Sequence, residues 1–271
     1  MLLFSNAKIN LGLRVIEKRP DKYHNIETIM VPVGLSDLLE FTEQSHRKID
    51  FINTGIQVNC TESENLVIKA YHLLKKDFQI PGIKIHLHKF IPPGAGLGGG
   101  SSNAAFMLKG LNDYFKLELE PSGLEHYAGM LGSDCPVFIK NKPCLAEGKG
   151  EKLSPVTLPA GLFMMLLYPG FPVSTLDAYQ GIIPGKETPP LPDIMAMDPL
   201  CWKDILHNHF EDTIFSRYPA IREIKNALYN QGALFASMTG SGSSVYGLFS
   251  SKPSLSKELT EIKIWEGEIS G

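Results

Sequence analysis

With 271 residues, 43% of them hydrophobic, the chain is long enough to bury a sizeable core as one large domain or two of ordinary size. Its formal net charge of −3 argues against a dedicated nucleic-acid binder, which carries a strongly basic face. The cysteines at 60, 135, 144 and 201 form no CxxC pair and no zinc spacing. The opening Met1-Leu2-Leu3-Phe4 is too short for a signal peptide, and the apolar run Leu162 to Tyr168 is far too short to cross a bilayer. A soluble cytoplasmic protein with reduced thiols and no membrane partner is expected.

Ala7 to Val15 alternates, placing Ala7, Ile9, Leu11, Leu13 and Val15 on one face of a strand, and Lys8 and Asn10 together on the other. A helix is expected over 62–77, where Thr61 and Glu64 have capping-box spacing. Ile83 to His88 alternates as a half-buried strand. Helices follow over 101–115 and over 121–131, the latter with Pro121 in its first turn. Residues 141–160 are rich in turn formers and suggest a boundary, giving domains 1–152 and 153–271. Beyond lie a strand at 162–168, a Pro/Gly-rich loop at 181–199, and helices near 201–216 and 219–231. A hairpin-like pair at 233–249 is interrupted by Thr239-Gly240-Ser241-Gly242-Ser243. No repeats are visible.

The stretch Pro92-Pro93-Gly94-Ala95-Gly96-Leu97-Gly98-Gly99-Gly100-Ser101-Ser102-Asn103 carries the most information. It links the strand at 83–88 to a helix whose apolar positions are Ala104, Ala105, Met107, Leu108 and Leu111. Glycine lets backbone approach a ligand closely, and the free N–H groups of a helix start attract anions. Strand, glycine loop and serine-rich helix start together read as a polyphosphate cradle. The P-loop lysine is absent, since Ser101 follows Gly100. A dinucleotide fingerprint is formally matched by Gly94-x-Gly96-x-x-Gly99 with Glu118 or Glu120 further on, but it requires a strand near 117–119.

Four motifs in order, Ala7-Lys8-Ile9-Asn10-Leu11, Pro92 to Asn103, Gly132-Ser133-Asp134-Cys135-Pro136-Val137-Phe138 and Thr239-Gly240-Ser241-Gly242, resemble those of the GHMP small-molecule kinases. A fifth, Arg19-Pro20-Asp21-Lys22-Tyr23-His24-Asn25-Ile26-Glu27-Thr28, resembles the substrate segment of the branch that phosphorylates diphosphocytidyl-methylerythritol in non-mevalonate isoprenoid synthesis. The chain departs from that pattern at Lys22, where the family usually has glycine, and at Ser133 and Cys135 in the aspartate motif.

The resemblance implies an α+β fold of two domains, an N-terminal ribosomal-protein-like α/β domain and a C-terminal ferredoxin-like one. It implies ATP and Mg²⁺ as cofactors, with Asp134 as general base and Lys8 beside it holding the carboxylate ionised. Asn65, Lys89 and the residues from Pro92 to Asn103 would hold ATP. Asn10, Tyr23, His24, Tyr179, Thr239 and Gly240 would hold the acceptor, with Tyr23 stacking on cytosine and His24 bonding its edge. No metal-ligand set is assigned, and dimerisation is left open. Taken one at a time, these residues have plainer readings: Asn65 as a helix cap, Lys89 as a strand-end charge, Asp134 as a turn residue. Another GHMP kinase, acting on homoserine or a mevalonate derivative, and a catalytically silent nucleotide sensor are the alternatives.

Overall fold

The computed structural model describes residues 1–45, 48–58 and 60–269. In chain order, β1 (Leu2–Lys18), β2 (His24–Gln44) and β3 (Asp50–Gly55) precede α1 (Leu66–Asp77), β4 (Gly82–Lys89), α2 (Gly99–Phe115), α3 (Pro121–Leu131) and α4 (Val137–Lys140). There follow β5 (Cys144–Gly148), β6 (Lys152–Pro155), β7 (Leu162–Leu167), α5 (Thr175–Tyr179), α6 (Leu191–Met195) and a 3₁₀ turn at Pro199–Cys201. The chain continues through α7 (Trp202–Ile205), α8 (Phe210–Arg217), α9 (Pro219–Asn230), β8 (Phe235–Met238), β9 (Val245–Phe249), α10 (Lys257–Glu261) and β10 (Lys263–Ile269). No described helix is long and apolar enough to cross a membrane.

The described residues gather into two compact units that do not follow chain order. The first takes Met1–Ala7, Leu35–Pro93 and Gly98–Asn141; the second takes Lys8–Gly34, Gly94–Leu97 and the chain from Lys142 on. The long strands β1 and β2 therefore each contribute to both.

In the first unit, β4 lies between β2 (antiparallel, Leu38 opposite His88) and β3 (parallel, Asp50 opposite Lys84). The alternation predicted for 83–88 is met, with Ile83, Ile85 and Leu87 buried. Helix α2 packs closely here: a Cβ at Gly110 would collide with Leu3 and Phe41. Its apolar positions are buried as expected, and it begins at Gly99, two residues earlier than predicted. Helix α1 starts at Leu66 with Asn65 as its cap, rather than at 62. The Thr61–Glu64 box does form, Thr61 N–H donating to Glu64 Oε2 at 2.9 Å, but in the turn before the helix. Residues 117–120 form no strand, so the βαβ unit that a dinucleotide site needs is missing there.

In the second unit, a four-stranded antiparallel sheet runs in the order β10-β7-β9-β8. This is the split βαβ arrangement of a ferredoxin-like sandwich, as expected. Its core combines Leu13 and Val15 from β1 with Met165, Leu167, Phe210, Ile214, Ile221, Leu228, Met238, Val245 and Phe249. Three expectations are corrected in this unit. The turn-rich segment 141–160 is a hairpin of β5 and β6, with β5 also pairing β2 (Ile26 opposite Gly148). The loop at 181–199 contains α6 and is tied down by buried Arg14, whose Nη1 and Nη2 donate to Glu187 O (3.3 Å) and Pro189 O (2.9 Å). The predicted helix at 201–216 is broken at 206–209, where His209 N–H and His207 O bond to Leu13 and make a short bridge to β1.

Candidate active site

Lys8 and Asn10 leave the same face of β1 and are almost wholly buried, at 3% and 2% exposure. Lys8 Nζ donates to Asn10 Oδ1 at 2.6 Å and to Gly96 O at 3.2 Å. Thr239 Oγ1 accepts from Asn10 N–H (2.9 Å) and donates to Gly96 O (3.1 Å). The second glycine loop is thereby fastened to the first: a Cβ on Gly96, whose φ is +77°, would overlap the Thr239 carbonyl. A Cβ on Gly240 would come equally close, 3.2 Å, to Asn10 Oδ1 and Gly96 O, and the Gly240 carbonyl accepts from Asn208 Nδ2 at 2.9 Å. The predicted residues Lys8, Asn10, Gly96 and Thr239 are thus one hydrogen-bonded cluster, with Gly240 next to Thr239 in the chain. Thr28 and Tyr246, neither among the predicted site residues, belong to the cluster. Thr28 Oγ1 accepts from Asn10 Nδ2 at 3.1 Å, and Tyr246 O–H donates to Asn10 O at 3.0 Å.

In the first unit, the glycine loop runs into α2 through Gly98, which adopts a left-handed conformation (φ +68°) and leaves the helix start without a side-chain cap. The first amides of α2 have no intrahelical acceptor and carry the positive end of the helix dipole. Ser102, in the first turn, is fully buried and its Oγ has no hydrogen-bond partner. Pro92 is buried and Pro93 exposed at the loop's entry.

Lys89 and Asn103 are also brought together, around a residue the sequence did not single out. Lys89 Nζ pairs with the Asp37 carboxylate and donates to Asn103 Oδ1 at 3.0 Å, while Asn103 Nδ2 donates to Asp37 Oδ2 (2.9 Å) and Ser5 Oγ (2.7 Å). Asp37 Oδ1 further accepts from the N–H groups of Phe90 and Ile91, at 2.7 and 2.8 Å. Burial pulls the Lys89 ammonium below its usual range, and Asp37 opposes that shift. Asn65 accepts from Val67 N–H at 2.9 Å, the helix-cap alternative anticipated for it.

Asp134 sits half-buried in the turn between α3 and α4. Its neighbour Cys135 bonds with Ser101 of α2 and has its thiol pushed up to about 12, chiefly by burial and also by the Asp134 charge. It is therefore a neutral spacer rather than a nucleophile. Of the residues expected to hold the acceptor, the His24 and Tyr179 rings stack at 4.6 Å with 17° between planes, and Phe210 meets Tyr179 edge-on at 4.8 Å. Tyr23, next to His24 in sequence, is exposed, with Lys149 Nζ 4.9 Å over its ring. Burial, with help from Lys18, lowers the His24 pKa below its ordinary 6.5.

Buried lysine, glycine loop and uncapped helix start are the equipment of a phosphoryl-transfer enzyme, and comparison with known proteins agrees. Family profiles described as GHMP kinases N terminal domain and GHMP kinases C terminal match residues 65–142 and 191–264. A 4-diphosphocytidyl-2-C-methyl-D-erythritol kinase of Bacteroides fragilis is 49% identical over 260 residues, covering 95% of each chain. One from Parabacteroides distasonis is 46% identical over 274 residues, covering 100% of both. A solved 4-(cytidine 5'-diphospho)-2C-methyl-D-erythritol kinase superposes with a TM-score of 0.82 at 31% identity over 100% of each chain. The chain belongs to the 4-diphosphocytidyl-2-C-methyl-D-erythritol kinase family, a branch of the GHMP small-molecule kinases.

Proposed function

We propose that this chain phosphorylates the 2-hydroxyl of 4-diphosphocytidyl-2-C-methyl-D-erythritol with ATP, giving the 2-phosphate and ADP, in the non-mevalonate route to isoprenoid precursors. The observation that carries the reading is the start of α2. A left-handed glycine with no cap opens the helix, and a buried hydroxyl without a partner follows, in a chain nearly half identical to kinases of that name. These groups fit a triphosphate: the amides of Gly99 to Ser101 would receive phosphate oxygens. Among the described residues no group of three or more His, Cys, Asp or Glu could hold a metal, so Mg²⁺ would rest on phosphate with the Ser101 or Ser102 hydroxyl. Bound Mg²⁺–ATP supplies the transferable phosphoryl group and offsets its charge.

The chain's own residues position and polarise. Asp134 takes the proton of the attacking hydroxyl; a weak base suffices because the transition state is loose. Lys8, fixed by Asn10 and Gly96, supplies positive charge for the acceptor oxygen as it loses its proton. His24, Tyr179 and Tyr23 hold the cytosine end by stacking and edge contacts, with Asn10, Thr239 and Gly240 facing the rest of the acceptor. Lys89, Asn103 and Asn65 support the ATP side. The boundary near 152 lies between the two family profiles and is proposed as the division of the family's halves. All four cysteines are free, which supports a reducing, cytoplasmic setting.

The test offers the protein ATP and Mg²⁺ with diphosphocytidyl-methylerythritol, phosphomevalonate or homoserine and follows ADP. Turnover with the first alone is expected. Turnover with either of the others reassigns the acceptor, and ATP binding without ADP from any of them makes the chain a nucleotide sensor.

A further inference from the structure

We infer that Thr28 is a positioning residue for phosphoryl transfer: through Asn10 it fixes where the Lys8 ammonium points. The inference deepens the reading of Lys8 given above and rests on it. Thr28 is fully buried on β2, and its Oγ1 donates to the Gly12 carbonyl. A hydroxyl has one proton. With that proton committed to a carbonyl, Oγ1 can only accept from Asn10, and it does so from Nδ2 at 3.1 Å.

This settles the orientation of the Asn10 amide. Flipped, it would set its oxygen against the Thr28 lone pairs and its NH₂ against the Lys8 ammonium, two repulsive contacts in place of two hydrogen bonds. The chain Lys8 Nζ–H to Asn10 Oδ1, Asn10 Nδ2–H to Thr28 Oγ1 and Thr28 O–H to Gly12 O therefore has one direction, set by a carbonyl that has no proton to give. Gly12 itself has φ +69° within β1, a conformation that side chains rarely adopt, and a Cβ there would collide with Leu206. Every member of this chain is buried, so water is a poor substitute for a missing link.

The test is steady-state kinetics on Thr28→Val, which keeps the shape and removes the hydroxyl, and on Thr28→Ser, which keeps the hydroxyl. Displacing a catalytic group by about 1 Å costs on the order of 10²-fold, so Thr28→Val is expected to lower kcat by about 10–100-fold. KM for both substrates should stay close to wild type, and Thr28→Ser should restore most of the rate. In an Asn10→Ala background, Thr28→Val should add no further loss, since the link is already cut. If Thr28→Val does not fold, Thr28→Cys replaces it, because sulfur keeps the volume but accepts weakly. Wild-type kcat in the valine variant, equal losses in valine and serine, or full additivity with Asn10→Ala would each overturn the relay. Lys8→Ala is run beside them. An active Lys8→Ala enzyme defeats the reading of Lys8 itself, whereas an inactive one with unimpaired Thr28→Val defeats only the relay.

Discussion

Lys8 and Lys89 are buried to nearly the same degree, and sequence placed both around a nucleotide-dependent reaction, yet their surroundings differ in kind. Lys89 is locked to a carboxylate: Asp37 takes its charge and also ties the end of β4 and Asn103 of α2 into one knot. Lys8 donates to an amide oxygen, Asn10 Oδ1, and to a backbone carbonyl, Gly96 O. These two acceptors fix where the ammonium points. Burial alone therefore says little about what a lysine does; the groups that Asp37 ties together around Lys89 mark that lysine as a clamp.

The comparison breaks most decisively in kinetics. Lys8→Ala is expected to lower kcat by about 10²–10⁴, as is Asp134→Ala, while both keep their fold and melting cooperativity. Near-wild-type turnover in either would remove that residue from the chemistry. Lys89→Met should fail in the opposite way. It strands the Asp37 charge in the interior, and breaking a buried pair from one side costs about 3–5 kcal/mol, readable by urea unfolding. If instead Lys89→Met melts normally and raises KM for ATP, Lys89 is a nucleotide ligand as the family resemblance implied, and the clamp reading falls.

A subtler effect concerns His24, whose pKa is lowered first by burial and then by the Lys18 charge. Because its folded pKa lies below 6.5, the native state binds fewer protons than the unfolded chain in the interval beneath 6.5. The stability that neutral His24 contributes is thus present above that pH and is lost as pH falls through the interval. KM for the diphosphocytidyl acceptor should stay flat through 6.5 and rise only at lower pH, tracked by the His24 ring resonance in NMR. Lys18→Gln should move the break upward without reaching the ordinary value, since burial is the larger cause. A His24 titrating at or above 6.5 would contradict this.

Local patterns were readable and distant partnerships were not. Alternation at 83–88 marks a strand with one buried face, and the spacing of Ala104, Met107, Leu108 and Leu111 marks α2 for the same reason; at 7–15 the alternation is of apolar and polar side chains only, since both faces of β1 are buried there. The β5–β6 hairpin was hidden because its strands are short and bounded by Pro143, Gly148, Gly150 and Pro155, the residues that gave the segment its turn-rich look. At the site, the glycine loop and Lys8 announce themselves by motif. Asp37 carries no local signal: its partner Lys89 is 52 residues away, and only the pairing of β2 with β4 brings them together. Thr28 is likewise an ordinary strand threonine until β1 lies beside it.

A third lysine completes the comparison and gives the smallest effect. Lys22 is exposed and occupies the position where the family usually has glycine. The reason is conformational: its φ is +69°, in a turn closed by Arg19 N–H to Tyr23 O (2.8 Å) and Lys22 N–H to Arg19 O (3.1 Å). A side chain in this region costs about 1–2 kcal/mol, and glycine gives back about 0.5–1 kcal/mol of that through its greater freedom when unfolded. Lys22→Gly should therefore stabilise the protein by on the order of 0.5 kcal/mol, a rise of about 1–2 °C in Tm, while Lys22→Ala should change almost nothing. A glycine variant no more stable than the alanine one would show that the strain is relieved elsewhere. In both variants kcat should match wild type, because here the lysine contributes a backbone angle that happens to carry a charge, where Lys8 contributes the charge itself.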